Sequence, residues 1–171
     1  MKKLILEKCK RVKIVLTDVD GVLTDGGMYY TEKGDIMKKF HARDGMGIAV
    51  LKRNGIPTVI ITKEKNEIVK KWASKMNVDK LFQGIKEKEK LLPKLCRLYN
   101  LKEENIAYIG DDINDLKIMK KIGFSVTPKD GNIEVKKIAN HISKIKGGKG
   151  VLRDVCDLLI FTKFGTKKKL Y

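Results

Sequence analysis

The sequence predicts an α/β fold: a doubly wound, Rossmann-like parallel sheet with a small β-hairpin insertion. Three observations carry that expectation. Short runs of branched apolar residues, such as Ile14-Val15-Leu16 and Val59-Ile60-Ile61, alternate with longer stretches of helical spacing almost throughout. Three of these runs end on acids or a hydroxyl, at Asp18-Val19-Asp20-Gly21, at Thr62 and at Gly110-Asp111-Asp112, and open parallel sheets place ligands beyond the carboxyl ends of their strands. The 171 residues suffice for one sizeable core and contain no linker-like stretch, so one domain is expected over 1–171.

The elements follow in order. Residues 1–12 read as a short amphipathic helix, with Leu4, Leu6, Cys9 and Val12 on one face. Ile14–Leu16 is too short for a helix and too branched for a loop, so it is a buried strand. Residues 25–42 alternate through Met28-Tyr29-Tyr30, turn at Glu32-Lys33-Gly34-Asp35 and continue to Phe40. That is a hairpin, inserted before the crossover helix. Asp44 is the expected N-cap of that helix, which runs to Lys52 and stops at Gly55. Pro57–Thr62 is the second buried strand, Asn66–Met76 a helix and Val78–Gln83 a short strand. Lys86–Tyr99 reads as one long helix kinked at Pro93. A strand over Asn105–Gly110, a helix over 114–121 and a strand over Gly123–Val126 come next. A helix over Ile133–Ala139, a strand at His141-Ile142 and a last helix over Gly150–Phe161 complete the chain. Right-handed crossovers then bring Asp18, Asp20, Thr62 and Asp111 to one sheet edge.

Composition narrows the function classes. No 18-residue apolar run exists, and the N-terminus lacks the core of a signal peptide, so a cytoplasmic protein with no membrane partner is expected. Cys9, Cys96 and Cys156 have no metal-ligand spacing and read as reduced thiols. The net charge of +17 is mostly lysine interleaved with glutamate, as at Lys86, Lys88, Lys90 and Lys94. Without an aromatic-rich basic motif, it reads as a solvated surface rather than a nucleic-acid footprint. The basic tail Lys167-Lys168-Lys169 is expected to be mobile in a lone subunit.

Asp18 and Asp20 share a strand face, and two close carboxylates repel unless a cation offsets them. Mg²⁺ prefers oxygen ligands and commonly bridges carboxylates to substrate phosphate. One carboxylate could then attack phosphorus while the other moves a proton. Alone, Asp-Val-Asp-Gly could equally be a plain turn, Thr62 a capping hydroxyl and Lys88 a surface residue. Three acids at Asp111, Asp112 and Asp115 after a buried strand make a sharper signal, and the four features occur in order on successive units.

In that order they resemble the haloacid dehalogenase superfamily of aspartate-nucleophile phosphatases, over nearly the whole chain. The resemblance implies Asp18 as nucleophile, Asp20 as general acid and base, and Thr62 and Lys88 as phosphate-binding catalytic groups. It implies Mg²⁺ held by Asp18, Asp20 and Asp111, with Asp112 and Asp115 in support. Asp18-Val-Asp-Gly-Val-Leu-Thr-Asp-Gly, Phe40-His-Ala-Arg-Asp-Gly-Met-Gly-Ile and Gly147-Gly-Lys-Gly-Val-Leu-Arg-Asp-Val-Cys narrow it to the ulosonate phosphate phosphatases. Members hydrolyse eight-carbon 3-deoxy-octulosonate 8-phosphate or nine-carbon sialic-acid-type 9-phosphates, and a similar module follows acylneuraminate cytidylyltransferases. They lack a large cap domain and form homotetramers, with hairpins packed together and a neighbour's tail covering the site. Residues 25–42 and the tail 162–171 would serve that assembly. Arg43 and Gly148 fall near the site in this resemblance. Where the eight-carbon branch usually reads Gly-Arg, Thr62 is followed by Lys63-Glu64-Lys65. Glu64, able to accept from hydroxyls or pair with Lys75, favours a nine-carbon substrate. The alternatives are the eight-carbon phosphatase and a non-catalytic tetramerisation module that partners a cytidylyltransferase.

Overall fold

A computed structural model describes residues 3–165; the expectations for 166–171, including the basic tail, lie outside the described residues. The chain runs from helix α1 (Lys3–Arg11) through strand β1 (Ile14–Thr17) to a hairpin of β2 (Tyr29–Thr31) and β3 (Gly34–Met37). Next come α2 (Ala42–Arg53), β4 (Thr58–Ile61), α3 (Glu67–Lys75) and β5 (Lys80–Phe82). A 3₁₀ turn (Lys88–Leu91) leads into α4 (Leu92–Tyr99), followed by β6 (Ile106–Ile109), α5 (Leu116–Met119) and β7 (Phe124–Thr127). Helix α6 (Ile133–Ile138), β8 (His141–Ile142) and α7 (Val151–Phe164) finish the chain.

Six strands form one parallel sheet in the order β5-β4-β1-β6-β7-β8, and the hairpin stands apart as an antiparallel pair. Strand order reverses at β1, the switch point where such sheets open a crevice. Alternation along the strands splits the core in two. Val15, Ile60, Ala107 and Ile109 face α2, α3 and α7 through Ile48, Leu51, Val69, Val155 and Leu159. Ile14, Leu16, Val59, Ile61 and Tyr108 face α4, α5 and α6 through Leu92, Leu95, Ile118 and Val135. The hairpin returns to the body by stacking Phe40 on Trp72 of α3, ring centroids 4.4 Å apart.

Three local expectations need correction. In α1, Ile5 rather than Leu4 joins Cys9 and Val12 on the core, and Leu4 is 62% exposed. Helix α2 starts earlier than expected, with His41 as N-cap: its Nδ1 accepts the Arg43 N–H at 3.3 Å. Asp44 lies buried in the first turn instead, and its Oδ1 accepts the Arg153 N–H at 2.9 Å. It caps the start of α7, whose own N-cap, Gly150, has no side chain to offer. Pro93 kinks nothing. It sits at the first turn of α4, where its missing N–H would be unpaired anyway. The proline ring cannot follow a regular helical turn, so the preceding residues wind as 3₁₀.

Candidate active site

The site forms where β1 and β6 end side by side. The Asp18 N–H donates to the Ile109 carbonyl at 2.9 Å, so the turns after the two strands start in register. Gly21 has φ +81°, and a Cβ there would overlap the Asp111 carboxylate. Glycine is therefore what lets the two acidic turns touch. The resulting cleft, about 270 Å³, is lined by Asp18, Asp20, Thr62, Glu64, Asp111 and Asp112, among others.

Asp18 continues the alternation of Ile14 and Leu16, so it points to the side from which Lys88 arrives. Lys88 is fully buried. Its Nζ lies 2.6 Å from Asp18 Oδ2, 2.7 Å from Asp115 Oδ1 and 3.1 Å from the Tyr108 hydroxyl. Tyr108 in turn donates to Asp115 Oδ1 at 2.7 Å. The second Asp115 oxygen accepts the Asp111 N–H at 3.0 Å and the Asp112 N–H at 3.5 Å. Asp115 thus spends both oxygens holding Lys88 and shaping the Asp111 turn. Asp112 accepts from Asn132 at 2.9 Å.

Carboxylate oxygens of Asp18, Asp111 and Asp115 come within 4.8 Å of one another. With Asp115 fully engaged, Asp18 and Asp111 are the pair that faces the cleft. Burial and then the nearby Asp115 push the Asp18 carboxyl up to about 6, against the pull of Lys88. Burial, followed by repulsion from Asp18, Asp115 and Asp112, pushes Asp111 up to about 8. Burial opposes the charge on Lys88, but Asp18 and Asp115 outweigh it and raise its pKa. This is a cation-hungry arrangement of hard oxygen donors.

The Asp20 carboxylate lies outside that cluster of side-chain oxygens. Its Oδ1 instead meets Lys38 Nζ at 2.8 Å and the Thr24 hydroxyl at 3.1 Å. Thr62, buried at the end of β4, accepts the Glu64 N–H at 3.3 Å, which leaves its own hydroxyl hydrogen to give. Glu64 lines the cleft; Arg43, Lys75 and Gly148 do not. Lys75 ends α3 as an exposed residue, and no ion pair joins it to Glu64 among the described residues. Gly148, with φ +63°, donates to the Val22 carbonyl at 3.0 Å and so braces the back of the catalytic turn.

Lys38 and Tyr108 escaped the sequence reading. Tyr108 carried a faint signal as the one polar-tipped side chain in an otherwise aliphatic strand. Lys38 carried only its spacing of three from Asp35.

Comparison with known proteins agrees with this geometry. Residues 57–154 match a family described as haloacid dehalogenase-like hydrolase. The chain is 34% identical to the 3-deoxy-D-manno-octulosonate 8-phosphate phosphatase of Escherichia coli K12, over 93% of this chain and 85% of that one. Its fold superposes on the corresponding phosphatase of Moraxella catarrhalis, crystallised with magnesium, phosphate and the sugar acid. The TM-score is 0.91 at 32% identity, over 95% of this chain and 94% of that one. A cobalt-bound counterpart from Haemophilus influenzae gives a TM-score of 0.88 at 35% identity, over 91% of each chain.

Proposed function

This chain belongs to the haloacid dehalogenase-like hydrolases, and from that footing we propose that it hydrolyses 3-deoxy-D-manno-octulosonate 8-phosphate through an aspartyl phosphate. It is a phosphoric monoester hydrolase that uses Mg²⁺. The observation that carries the mechanism is the buried Lys88 clamped between Asp18 and Asp115, beside an Asp111 carboxylate within metal-bridging reach of Asp18.

Asp18 and Asp111 fit the ion: both are oxygen donors on one cleft, and each repels the other in its absence. Bound there, Mg²⁺ supplies positive charge against the phosphate oxygens and the nucleophile. Asp18 attacks phosphorus in line. Lys88 offsets the charge on that carboxylate and on the equatorial oxygens, and the Thr62 hydroxyl donates to one of them. Asp20 gives a proton to the departing sugar oxygen, then takes one from the water that cleaves the aspartyl phosphate. Asp115 and Tyr108 keep the lysine in place.

The eight-carbon substrate replaces the nine-carbon preference drawn from Glu64. The Escherichia and Moraxella relatives are named for the eight-carbon sugar acid, and of the two roles open to Glu64, the pairing with Lys75 is not formed among the described residues. A non-catalytic module would have no use for a buried lysine held between two acids. The hairpin presents Met28, Tyr30, Ile36 and Met37 to solvent, which supports a homotetramer packed through this element.

Steady-state assay of both sugar acid phosphates with Mg²⁺ tests the substrate. kcat/KM is expected to be at least tenfold higher for the eight-carbon ester, and the reverse order would overturn the assignment. Asp18→Asn is expected to abolish turnover of either substrate while leaving the circular dichroism spectrum unchanged.

A further inference from the structure

We propose that Lys38 is a positioning residue for Asp20, holding one carboxylate oxygen so that the other meets the substrate. Lys38 follows directly after β3, on a hairpin whose residues are largely exposed, yet its own side chain is only 3% exposed. Its Nζ sits 2.8 Å from Asp20 Oδ1 and 3.2 Å from Asp35 Oδ2. Asp35 Oδ2 also accepts from Asn66 Nδ2 at 3.0 Å, and Asn66 caps α3 through the Ile68 N–H at 2.8 Å. The Asn66 carbonyl is fixed by Gln83 at 2.8 Å. The lysine therefore ends a relay of bonds that starts in the main body and finishes on the catalytic turn.

Both donors to Asp20, Lys38 and Thr24, bind the same oxygen, Oδ1. Oδ2 is the atom left to exchange a proton. Replacing a buried ion pair by apolar side chains of similar volume is often neutral or stabilising. The hairpin alone therefore gives no reason to bury a lysine, whereas aiming a proton-transfer group does.

The inference rests on Asp20 being the acid and base proposed above, and the experiment separates the two. Lys38→Met is compared with wild type and with Asp20→Asn, on the sugar acid phosphate and on p-nitrophenyl phosphate. In the first half-reaction the Asp18 oxygen–phosphorus bond forms as the ester P–O bond breaks, and the Asp20 proton goes to the leaving sugar oxygen; p-nitrophenolate leaves without it, and Asp20 then loses its proton to solvent. In the second, water attacks phosphorus, its proton goes to the Asp20 carboxylate, and Asp18 leaves as a carboxylate. Misaiming Asp20 should therefore lower kcat for the sugar ester by about 10²-fold, the usual scale of general acid catalysis, with KM little changed. On p-nitrophenyl phosphate it should leave a burst of one p-nitrophenolate per site before slow turnover. Lys38→Gln, which keeps a donor in the slot, should be at least fivefold faster than Lys38→Met. If the Met variant does not fold, Lys38→Ala, which also lacks a donor, is compared with wild type, and a kcat within threefold overturns the inference. An equal loss on both substrates without a burst overturns it as well, since that describes a structural latch. If Asp20→Asn turns over normally, the acid–base assignment itself falls. If only Asp20→Asn is impaired, positioning by Lys38 falls alone.

Discussion

At the scale of single residues, the site is a problem of crowded negative charge solved by one buried cation. Lys88 has no exposed surface and touches both Asp18 and Asp115. Removing one partner of a buried ion pair strands the other, and such changes destabilise by about 3–5 kcal/mol. Lys88→Met is expected to lose about that much in urea unfolding followed by the single tryptophan, Trp72, besides losing turnover. An unshifted midpoint would sink this account of the charge balance. Much at this scale was legible in the sequence. Asp18, Thr62 and Asp111 could be read because each lies within two residues of a strand's carboxyl end, and strand ends in a parallel sheet converge. Lys38 could not be read this way, because its burial depends on how the hairpin folds back over the catalytic turn. The contact that Lys38 makes with the Asp20 carboxylate was hidden for the same reason: nothing local says that a hairpin lysine reaches that oxygen.

At the scale of elements, Asp44 shows how one carboxyl ties two helices. It sits in the first turn of α2 and accepts the N–H of Arg153 in the first turn of α7. Burial pushes its pKa up to about 6 from 3.8, with the backbone N–H groups of Arg153 and Leu152 pulling the other way. The sign follows from proton counts. Between pH 4 and 6 the folded protein retains a proton that the unfolded chain has released, so this group's contribution falls as pH rises. The stability of wild type relative to Asp44→Asn, which does not titrate, is expected to drop by roughly 2 kcal/mol from pH 4.5 to 7. Urea unfolding of both proteins at the two pH values measures it, and a constant difference would refute it. The sequence placed Asp44 at the right helix end but in the wrong job. An aspartate before a helix usually caps that helix, and only packing of α2 on α7 reveals the other end it serves. The long helix expected through Pro93 missed for a simpler reason: a proline tolerated in a first turn was taken for one tolerated in the middle.

At the scale of the whole molecule, the parallel sheet with helices on both faces was readable because strand and helix alternate almost throughout. The hairpin was readable from its turn residues. Metal binding belongs to this scale too, since the paired sites at Asp18 and Asp111 come from opposite sides of the switch point. A ligand that binds only the folded state stabilises it by about 2.7 kcal/mol at a hundredfold excess over Kd. Addition of Mg²⁺ is therefore expected to raise the melting temperature by roughly 5–10 °C for a chain of this size. EDTA should reverse the rise and Asp111→Asn should abolish it. A shift that survives in that variant would place the ion elsewhere.

The central place of β1 has one more consequence. Its four residues are wholly buried, with α-helices on both sides and a strand on each edge. The amide of Asp18 extends that ladder to the Ile109 carbonyl. No local fraying can free it, so its deuterium uptake should be among the slowest in the protein and should track the denaturation free energy as denaturant is added. The proton beside the nucleophile then serves as a gauge of how seldom the entire structure comes apart.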